Sequence, residues 1–221
     1  MSELPLEYVH REPEATTDGP APAVVVLHGR GADEEDLLPV AARLPEDHHV
    51  LSLRAPDRLM GGYTWYELDL SDGMENSQPD PDEFRRSLDR VADSVAAAVD
   101  RWELDADGLG LLGFSQGGIA ALATLLERPE RFAWVAALHC YLPASHADRA
   151  PEGVAGTPVF VAAGTADEII PAGRAETAAE RLRAVGADVT FDAYETGHGI
   201  GRRELSDLVA FVEGATGGAE R

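Results

Sequence analysis

The chain alternates short apolar runs with longer stretches in which apolar residues recur every three or four positions. The runs are rich in β-branched residues and are continuous rather than alternating, which is typical of strands that are buried on both faces. We therefore predict strands at residues 23–27, 50–53, 109–112, 132–138, 158–163 and 189–194, with 8–11 as an edge strand.

The stretches between these runs have the spacing of amphipathic helices. Because strands and helices alternate, the pattern favours an α/β fold in which helices cover both faces of a mostly parallel sheet. Functional groups in such sheets gather at the carboxyl ends of the strands. The predicted helices cover residues 34–44 behind an Asp33 cap, 82–102, 116–127, 172–185 and 203–212.

The length and composition of the chain limit the number of domains that it can form. The 221 residues are 44% hydrophobic and show no internal repeat, so we predict a single domain over residues 1–221. Residues 214–221 are rich in glycine and small side chains, and we expect them to form a flexible tail.

One predicted strand ends in the pattern G-x-S-x-G, at residues 113–117. The residues after the serine, GGIAALATL, predict a helix of small side chains. A strand before and a helix after are the context of a nucleophile elbow, where glycines avoid clashes in a strained turn. We predict Ser115 as a nucleophile, and an idle serine in a glycine-rich turn is the alternative.

An activated serine needs a base and a group that orients this base. Asp167 follows the predicted strand 158–163 and His198 follows the strand 189–194, so the residues occur in the order that elbow sites require. We predict that His198 takes the proton of Ser115 and that Asp167 stabilises the resulting imidazolium. A turn position for Asp167 and a loop position for His198 are the simpler interpretations of each residue taken alone.

The predicted strand 23–27 runs into the sequence HGRG at residues 28–31. In this architecture that loop supplies one backbone N–H to an oxyanion, and the residue after the nucleophile supplies another. We predict the N–H groups of Arg30 and Gln116 as the two donors, and His28 as a buried structural imidazole.

The segments LHGRGADEEDLLP, GFSQGG, GTADEIIP and GHGI together resemble the phospholipase/carboxylesterase family of small α/β-hydrolases, which includes bacterial carboxylesterases and acyl-protein thioesterases. The resemblance extends from about residue 8 to residue 212. It implies an α/β-hydrolase fold without a separate lid domain and a triad of Ser115, Asp167 and His198. It also implies hydrolysis of short acyl esters or thioesters without a cofactor.

One segment departs from the family pattern. After the strand 132–138 the chain has His139 and Cys140, where the family usually has a small Ser-Gly pair. This difference bears on the shape of the acyl pocket and makes His139 a candidate substrate-binding residue. Cys140 has no elbow around it, and we expect it to be a small buried residue.

A long connection over residues 54–81 lies beside the predicted catalytic face. Met60, Trp65 and Tyr66 within it are candidates for an apolar wall that binds the substrate. Anchoring of these side chains to the core is an equally good interpretation.

The main functional hypothesis is a serine hydrolase that cleaves carboxylic esters of short to medium acyl chains through an acyl-enzyme on Ser115. An acyl thioesterase or a lysophospholipase that acts on longer acyl groups is the first alternative. A catalytically silent binding domain on the same fold is the second. The expected partner is a small-molecule ester or thioester, and an apolar patch at the pocket mouth suggests a homodimer.

The net charge of the chain bears on the partners and the environment of the protein rather than on its catalytic chemistry. All 18 basic residues are arginines, and 40 acidic residues bring the formal net charge to −22. Such a field repels phosphate backbones and anionic membranes, so we expect no nucleic-acid partner and no stable membrane anchor. The complete absence of lysine favours a halophilic host, in which concentrated counterions screen the self-repulsion.

Other sequence features restrict the compartment and the cofactors. A single cysteine excludes an intrachain disulfide, and no leader or membrane-spanning run is visible, so we predict a cytoplasmic protein. The chain lacks HExxH, CxxC and glycine-rich phosphate-loop motifs, so we expect neither a metal nor a nucleotide cofactor.

Overall fold

A seven-stranded sheet forms the centre of the molecule in a computed structural model that describes residues 3–15, 19–71, 73 and 76–217. The strands, numbered along the chain, are β1 (Tyr8–Arg11), β2 (Ala23–Leu27), β3 (His49–Leu53), β4 (Asp57–Leu59), β5 (Gly62–Thr64), β6 (Leu68–Asp69), β7 (Gln78–Pro79), β8 (Leu109–Phe114), β9 (Trp134–Leu138), β10 (Pro158–Gly164) and β11 (Asp188–Tyr194). The helices are α1 (Leu38–Ala41), α2 (Pro81–Trp102), α3 (Gln116–Glu127), α4 (Ala172–Ala184) and α5 (Arg202–Thr216).

The strands lie across the sheet in the order β1-β3-β2-β8-β9-β10-β11. β1 runs antiparallel to β3, and the other neighbouring pairs are parallel. Every residue of β2 and of β9 is buried, as the continuous apolar runs indicated. The predicted mostly parallel sheet, with residues 8–11 as its edge strand, is confirmed.

Helices cover both faces of this sheet. One apolar core includes residues of α2, α3 and α4, and the core on the opposite face includes residues of α1 and α5. This layering is the predicted α/β class. In the part of the chain that the structure describes, no separate lid domain lies over the sheet. None of the described helices combines the length and the apolar character that a membrane crossing requires.

Local capping explains where the helices differ from prediction. The side chain of Asp80 accepts hydrogen bonds from the N–H groups of Asp82 and Glu83, so α2 begins at Pro81.

The prediction of one helix over residues 34–44 is wrong. Turns precede the four residues of α1, and Pro39 has no N–H with which to extend a helix from residue 35.

The C-terminal helix is longer than predicted. α5 continues to Thr216, so the first residues of the predicted flexible tail are helical. The rest of that prediction, for residues 218–221, lies outside the described residues.

The connection predicted over residues 54–81 contains two small hairpins, β4–β5 and β6–β7. Strands of two or three residues are too short to show a period in the sequence. Backbone hydrogen bonds of 2.8 Å join Tyr63 to Gly31 and Ala32 in the loop after β2. The approach is so close that a Cβ on Gly62 would lie 2.0 Å from the carbonyl oxygen of Gly31. The β4–β5 hairpin therefore supports the loop after β2, which contains the predicted oxyanion donor Arg30.

Candidate active site

The turn between β8 and α3 holds Ser115 in a strained conformation, with φ 53° and ψ −117°. Its N–H donates to the carbonyl oxygen of Leu138 at 2.8 Å. The flanking glycines are required by close packing. A Cβ on Gly113 would lie 2.3 Å from the carbonyl oxygen of Gly117, and a Cβ on Gly117 would lie 2.1 Å from that of Leu27. These features are those of a nucleophile elbow.

Three side chains from separate strand ends form one line of hydrogen bonds. Ser115 Oγ lies 2.8 Å from His198 Nε2, and His198 Nδ1 lies 2.7 Å from Asp167 Oδ2. Asp167 follows β10 and His198 follows β11, so the parallel sheet brings both beside the elbow. This arrangement allows the imidazole to accept the serine proton while the carboxylate stabilises the charge that develops.

Asp167 is held by contacts on both of its oxygens. Oδ1 accepts hydrogen bonds from the N–H groups of Ile169 and Ile170, each at 2.9 Å. Burial disfavours the ionised carboxyl, but the N–H of Ile170 and the imidazoles of His198 and His139 outweigh it. The pKa of Asp167 therefore lies below its ordinary value.

A second imidazole reaches Asp167 from the buried side. His139 Nδ1 lies 3.1 Å from Asp167 Oδ2, and His139 Nε2 lies 3.2 Å from Glu204 Oε2. The side chains of all three residues are fully buried. Sequence reasoning missed Glu204, although it occupies the same apolar stripe of α5 as the buried Leu208 and Val212. A glutamate within such a stripe was the available signal.

His139, Asp167 and His198 form the one group of potential metal-binding atoms found among the described residues, with these atoms within 4.8 Å of one another. Each of these atoms already takes part in a hydrogen bond within the group.

The two predicted oxyanion donors lie beside the serine. Arg30 and Gln116 both line the cavity that contains Ser115. Gln116 is the first residue of α3, so its N–H is not used within the helix. The guanidinium of Arg30 pairs with Glu67 at 3.2 Å. The predicted role needs only the backbone of Arg30.

The side chain of Gln116 clamps the segment after β5. Its Oε1 accepts a hydrogen bond from the N–H of Trp65 at 2.9 Å, and its Nε2 donates to the carbonyl oxygen of Tyr66 at 2.6 Å. The indole N–H of Trp65 donates to the carbonyl oxygen of His28 at 2.8 Å. The imidazole of His28 is buried, and its Nε2 accepts from the N–H of Ala55, which confirms the predicted structural role.

The four candidate substrate-binding residues do not line the cavity, and we correct that expectation. Trp65 and Tyr66 have no exposed surface because they anchor the segment to the core, which was the alternative interpretation. His139 is buried behind Asp167. Met60 is 95% exposed at the tip of the β4–β5 hairpin and is not among the residues that line the cavity.

Cys140, in contrast, is buried as predicted. Burial raises the pKa of its thiol, so the protonated form persists.

The observed cavity next to Ser115 has a volume of about 230 Å³. Its apolar wall comes from residues that the sequence analysis did not select. The two isoleucines at residues 169 and 170, which follow Asp167 after one intervening glutamate, were the one local signal for them. The apolar and aromatic lining residues are Leu68, Ile119, Tyr141, Ile169 and Ile170. A wider groove of about 710 Å³, which Tyr141 also lines, contains none of the predicted catalytic residues.

A serine, an aspartate and a histidine in this order at the strand ends of a mostly parallel sheet define the class of α/β-hydrolases. The sequence model of the phospholipase/carboxylesterase family matches residues 10–215, so the chain belongs to that family of carboxylic ester hydrolases.

Individual relatives agree with this family. The chain is 31% identical over 171 residues to the putative esterase NocK of Nocardia uniformis subsp. tsuyamanensis, covering 76% of this chain. It spans about half of that relative, 46% of its length. It is 27% identical over 160 residues to acyl-protein thioesterase 1 of Debaryomyces hansenii, covering 69% of this chain and 68% of the relative.

Solved structures share the fold. The Bacillus cereus carboxylesterase superposes with a TM-score of 0.83 at 23% identity, over 95% of this chain and 94% of the other. A carboxylesterase from Mesorhizobium loti superposes with a TM-score of 0.82 at 21% identity, over 97% of both chains. At these identities the likeness concerns the fold.

Proposed function

We propose that the protein is a serine hydrolase that cleaves carboxylic esters of short to medium acyl chains through an acyl-enzyme on Ser115. The observation that carries this proposal is the hydrogen-bonded line from Ser115 Oγ through His198 to Asp167, at 2.8 and 2.7 Å. Membership of the phospholipase/carboxylesterase family supports it.

In acylation, His198 Nε2 accepts the proton of Ser115 as Oγ attacks the ester carbonyl carbon. The N–H groups of Arg30 and Gln116 stabilise the negative charge on the carbonyl oxygen of the tetrahedral intermediate. His198 then donates the proton to the departing alcohol. In deacylation a water molecule takes the place of the alcohol, and the same groups release the carboxylic acid.

The size of the cavity supports the expected acyl-chain length. Its volume of about 230 Å³ is smaller than the roughly 300–1,000 Å³ of pockets that hold drug-sized ligands. Its lining is mostly apolar, and Tyr141 lines both this cavity and the wider groove. These dimensions favour short acyl groups over long ones.

A thioesterase is the second candidate function. The same triad serves a thioester, and the relatives from Debaryomyces hansenii and other fungi are named acyl-protein thioesterase 1. Comparing p-nitrophenyl acetate, butyrate and octanoate with the matching acyl thioesters separates the two activities. We expect the butyrate ester to be cleaved faster than the octanoate ester.

The decisive variant for this function is Ser115→Ala. We expect kcat/KM on p-nitrophenyl butyrate to fall by at least about 10⁴-fold, with an unchanged circular dichroism spectrum. The matched control is Ser206→Ala, because Ser206 is exposed on α5. A silent binding domain predicts no turnover by the wild-type protein, and retained turnover in Ser115→Ala contradicts the assignment of the nucleophile.

We further propose that the protein works in the cytoplasm of a salt-rich cell and forms a homodimer. The net charge of −22 supports the first part, and the exposed apolar residues Leu70 and Ile169 support the second. A higher melting temperature in molar KCl than in dilute buffer tests the salt requirement, since screening relieves self-repulsion. Light scattering after size exclusion tests the dimer.

A further inference from the structure

The buried side of Asp167 is occupied by an imidazole that the proposed reaction does not use. His139 follows β9 with a left-handed backbone, φ 50°, and its N–H donates to the carbonyl oxygen of Ala162 at 2.7 Å. These contacts place its ring 5.7 Å from the ring of His198, on the other side of the same carboxylate oxygen. Oδ2 of Asp167 thus receives two imidazoles.

The partners of His139 determine its protonation. Asp167 Oδ2 accepts hydrogen bonds, so His139 Nδ1 carries a proton. Glu204 Oε2 accepts from the N–H of Gly201 at 3.1 Å and lies 3.2 Å from His139 Nε2. An imidazole between two carboxylate oxygens donates a hydrogen bond to each of them when it is doubly protonated. Burial opposes this charge, but the hydrogen bonds to Glu204 and Asp167 outweigh it and raise the pKa of His139.

We propose that His139 and Glu204 form a buried ion pair that holds Asp167 in its catalytic orientation and extends hydrolysis to lower pH. The proposal rests on the proposed function of Ser115. His139 and Glu204 are positioning residues, since they act through Asp167 and do not touch the reacting atoms.

The order of the charged groups along this row determines the direction in which the ion pair shifts the pH dependence of hydrolysis. The imidazolium of His139 faces Asp167 and His198, while the carboxylate of Glu204 lies behind it. A positive charge near His198 disfavours a second proton there. We therefore expect the acidic limb of the pH–rate profile to move to higher pH when this positive charge is removed.

The other side chains near His139 and Glu204 come from the elements that pack around this ion pair. Phe114 before the elbow packs its ring 5.5 Å from that of His139 and carries no charge. Cys140 beside it remains a thiol because burial raises its pKa. On the Glu204 side, the hydroxyl of Tyr194 in β11 donates to Asp207 of α5 at 3.0 Å.

The test is the pH profile of kcat/KM for p-nitrophenyl butyrate in two variants. Glu204→Gln keeps an acceptor for the N–H of Gly201 and removes the charge that holds the proton on His139. His139→Asn keeps a donor for Asp167 and tolerates the left-handed backbone. Glu213→Gln is the matched control, because Glu213 is exposed on the same helix.

We expect the pKa of the acidic limb to rise by about 0.5 to 1 in both variants, while the control follows the wild type. A lower plateau with an unmoved limb means that the pair orients Asp167 without extending hydrolysis to lower pH, and it overturns the proposal. Turnover that persists in Ser115→Ala refutes the proposed function instead.

A measurement on the wild-type protein covers variants that fail to fold. In ¹⁵N NMR spectra of histidine-labelled protein, we expect both ring nitrogens of His139 to be protonated at pH 7. Unlike the other ring signals, the His139 pair is absent from the His139→Asn spectrum. If that variant does not fold, the ring signals of His139 are assigned by through-bond correlation to its own backbone amide. A neutral His139 at pH 7 contradicts the proposal.

Discussion

The two sides of the cavity are built in different ways. On one side Ser115, Asp167 and His198 stand directly after β8, β10 and β11, and the sheet itself sets their spacing. On the other side the residues after β5 are held by contacts with distant parts of the chain, chiefly the side chain of Gln116. The first side carries the reacting groups, and the second holds the proposed oxyanion donors in place.

This difference has an energetic consequence. A change at a reacting group removes an interaction that exists only in the transition state, so its effect falls on kcat. A change in the supporting segment shifts the position of a donor, and its effect is divided between kcat and stability. A change at the rim of the cavity alters only the binding of the acyl group.

The largest effect after loss of the nucleophile is expected for Asp167→Asn. The amide cannot stabilise an imidazolium at His198, so kcat should fall by roughly 10³–10⁴-fold with little change in KM. Steady-state kinetics on p-nitrophenyl butyrate measure it. Asp188→Asn, at an exposed position of β11, is the control and should keep full activity. A loss below tenfold at Asp167 would remove the distinction between the two sides.

Gln116→Ala tests the supporting side. The variant removes the acceptor of the buried N–H of Trp65 and one of the two donors to the buried carbonyl of Tyr66, which keeps the hydroxyl of Thr64. This loss costs about 1–3 kcal/mol of unfolding free energy. Because the donor at residue 116 also shifts, we expect kcat to fall by about 10- to 100-fold. Urea unfolding and kinetics on the same preparation measure both effects. Gln78→Ala in β7 serves as control for the kinetics, because Gln78 does not line the cavity of Ser115. A kcat loss as large as that of Asp167→Asn would show that the supporting side takes part in the chemistry directly.

The smallest effect is expected at the rim. Ile169 lines the cavity and is 48% exposed, so Ile169→Ala removes part of an apolar contact. We expect KM for the octanoate ester to rise about two- to fivefold and KM for the acetate ester to stay constant. Met60→Ala should change neither value, since Met60 is exposed away from the cavity. An effect of Met60→Ala would restore it to the substrate wall.

The same comparison explains what could be predicted from the sequence. The residues at the strand ends could be predicted because a nucleophile elbow requires Gly113 and Gly117. In addition, only a few residue types can serve as the base and the orienting carboxylate after the other strands. The strands of the main sheet could be predicted because strands buried on both faces have continuous apolar runs in their sequence.

The supporting side could not be predicted in the same way. The hairpins β4–β5 and β6–β7 are too short for a period, and the partners of Gln116 lie about fifty residues away. Trp65 and Tyr66 were ambiguous because an aromatic side chain suits a pocket wall and a core equally well. His139 and Glu204 meet through a contact that spans 65 residues, which no local pattern encodes.

The central claim, that Ser115 is the activated nucleophile, is tested most directly by fluorophosphonate labelling followed by peptide mass spectrometry. We predict one adduct per chain, located on Ser115, and no adduct in Ser115→Ala. The absence of an adduct in the active wild-type protein, or an adduct on a different residue, would contradict the account.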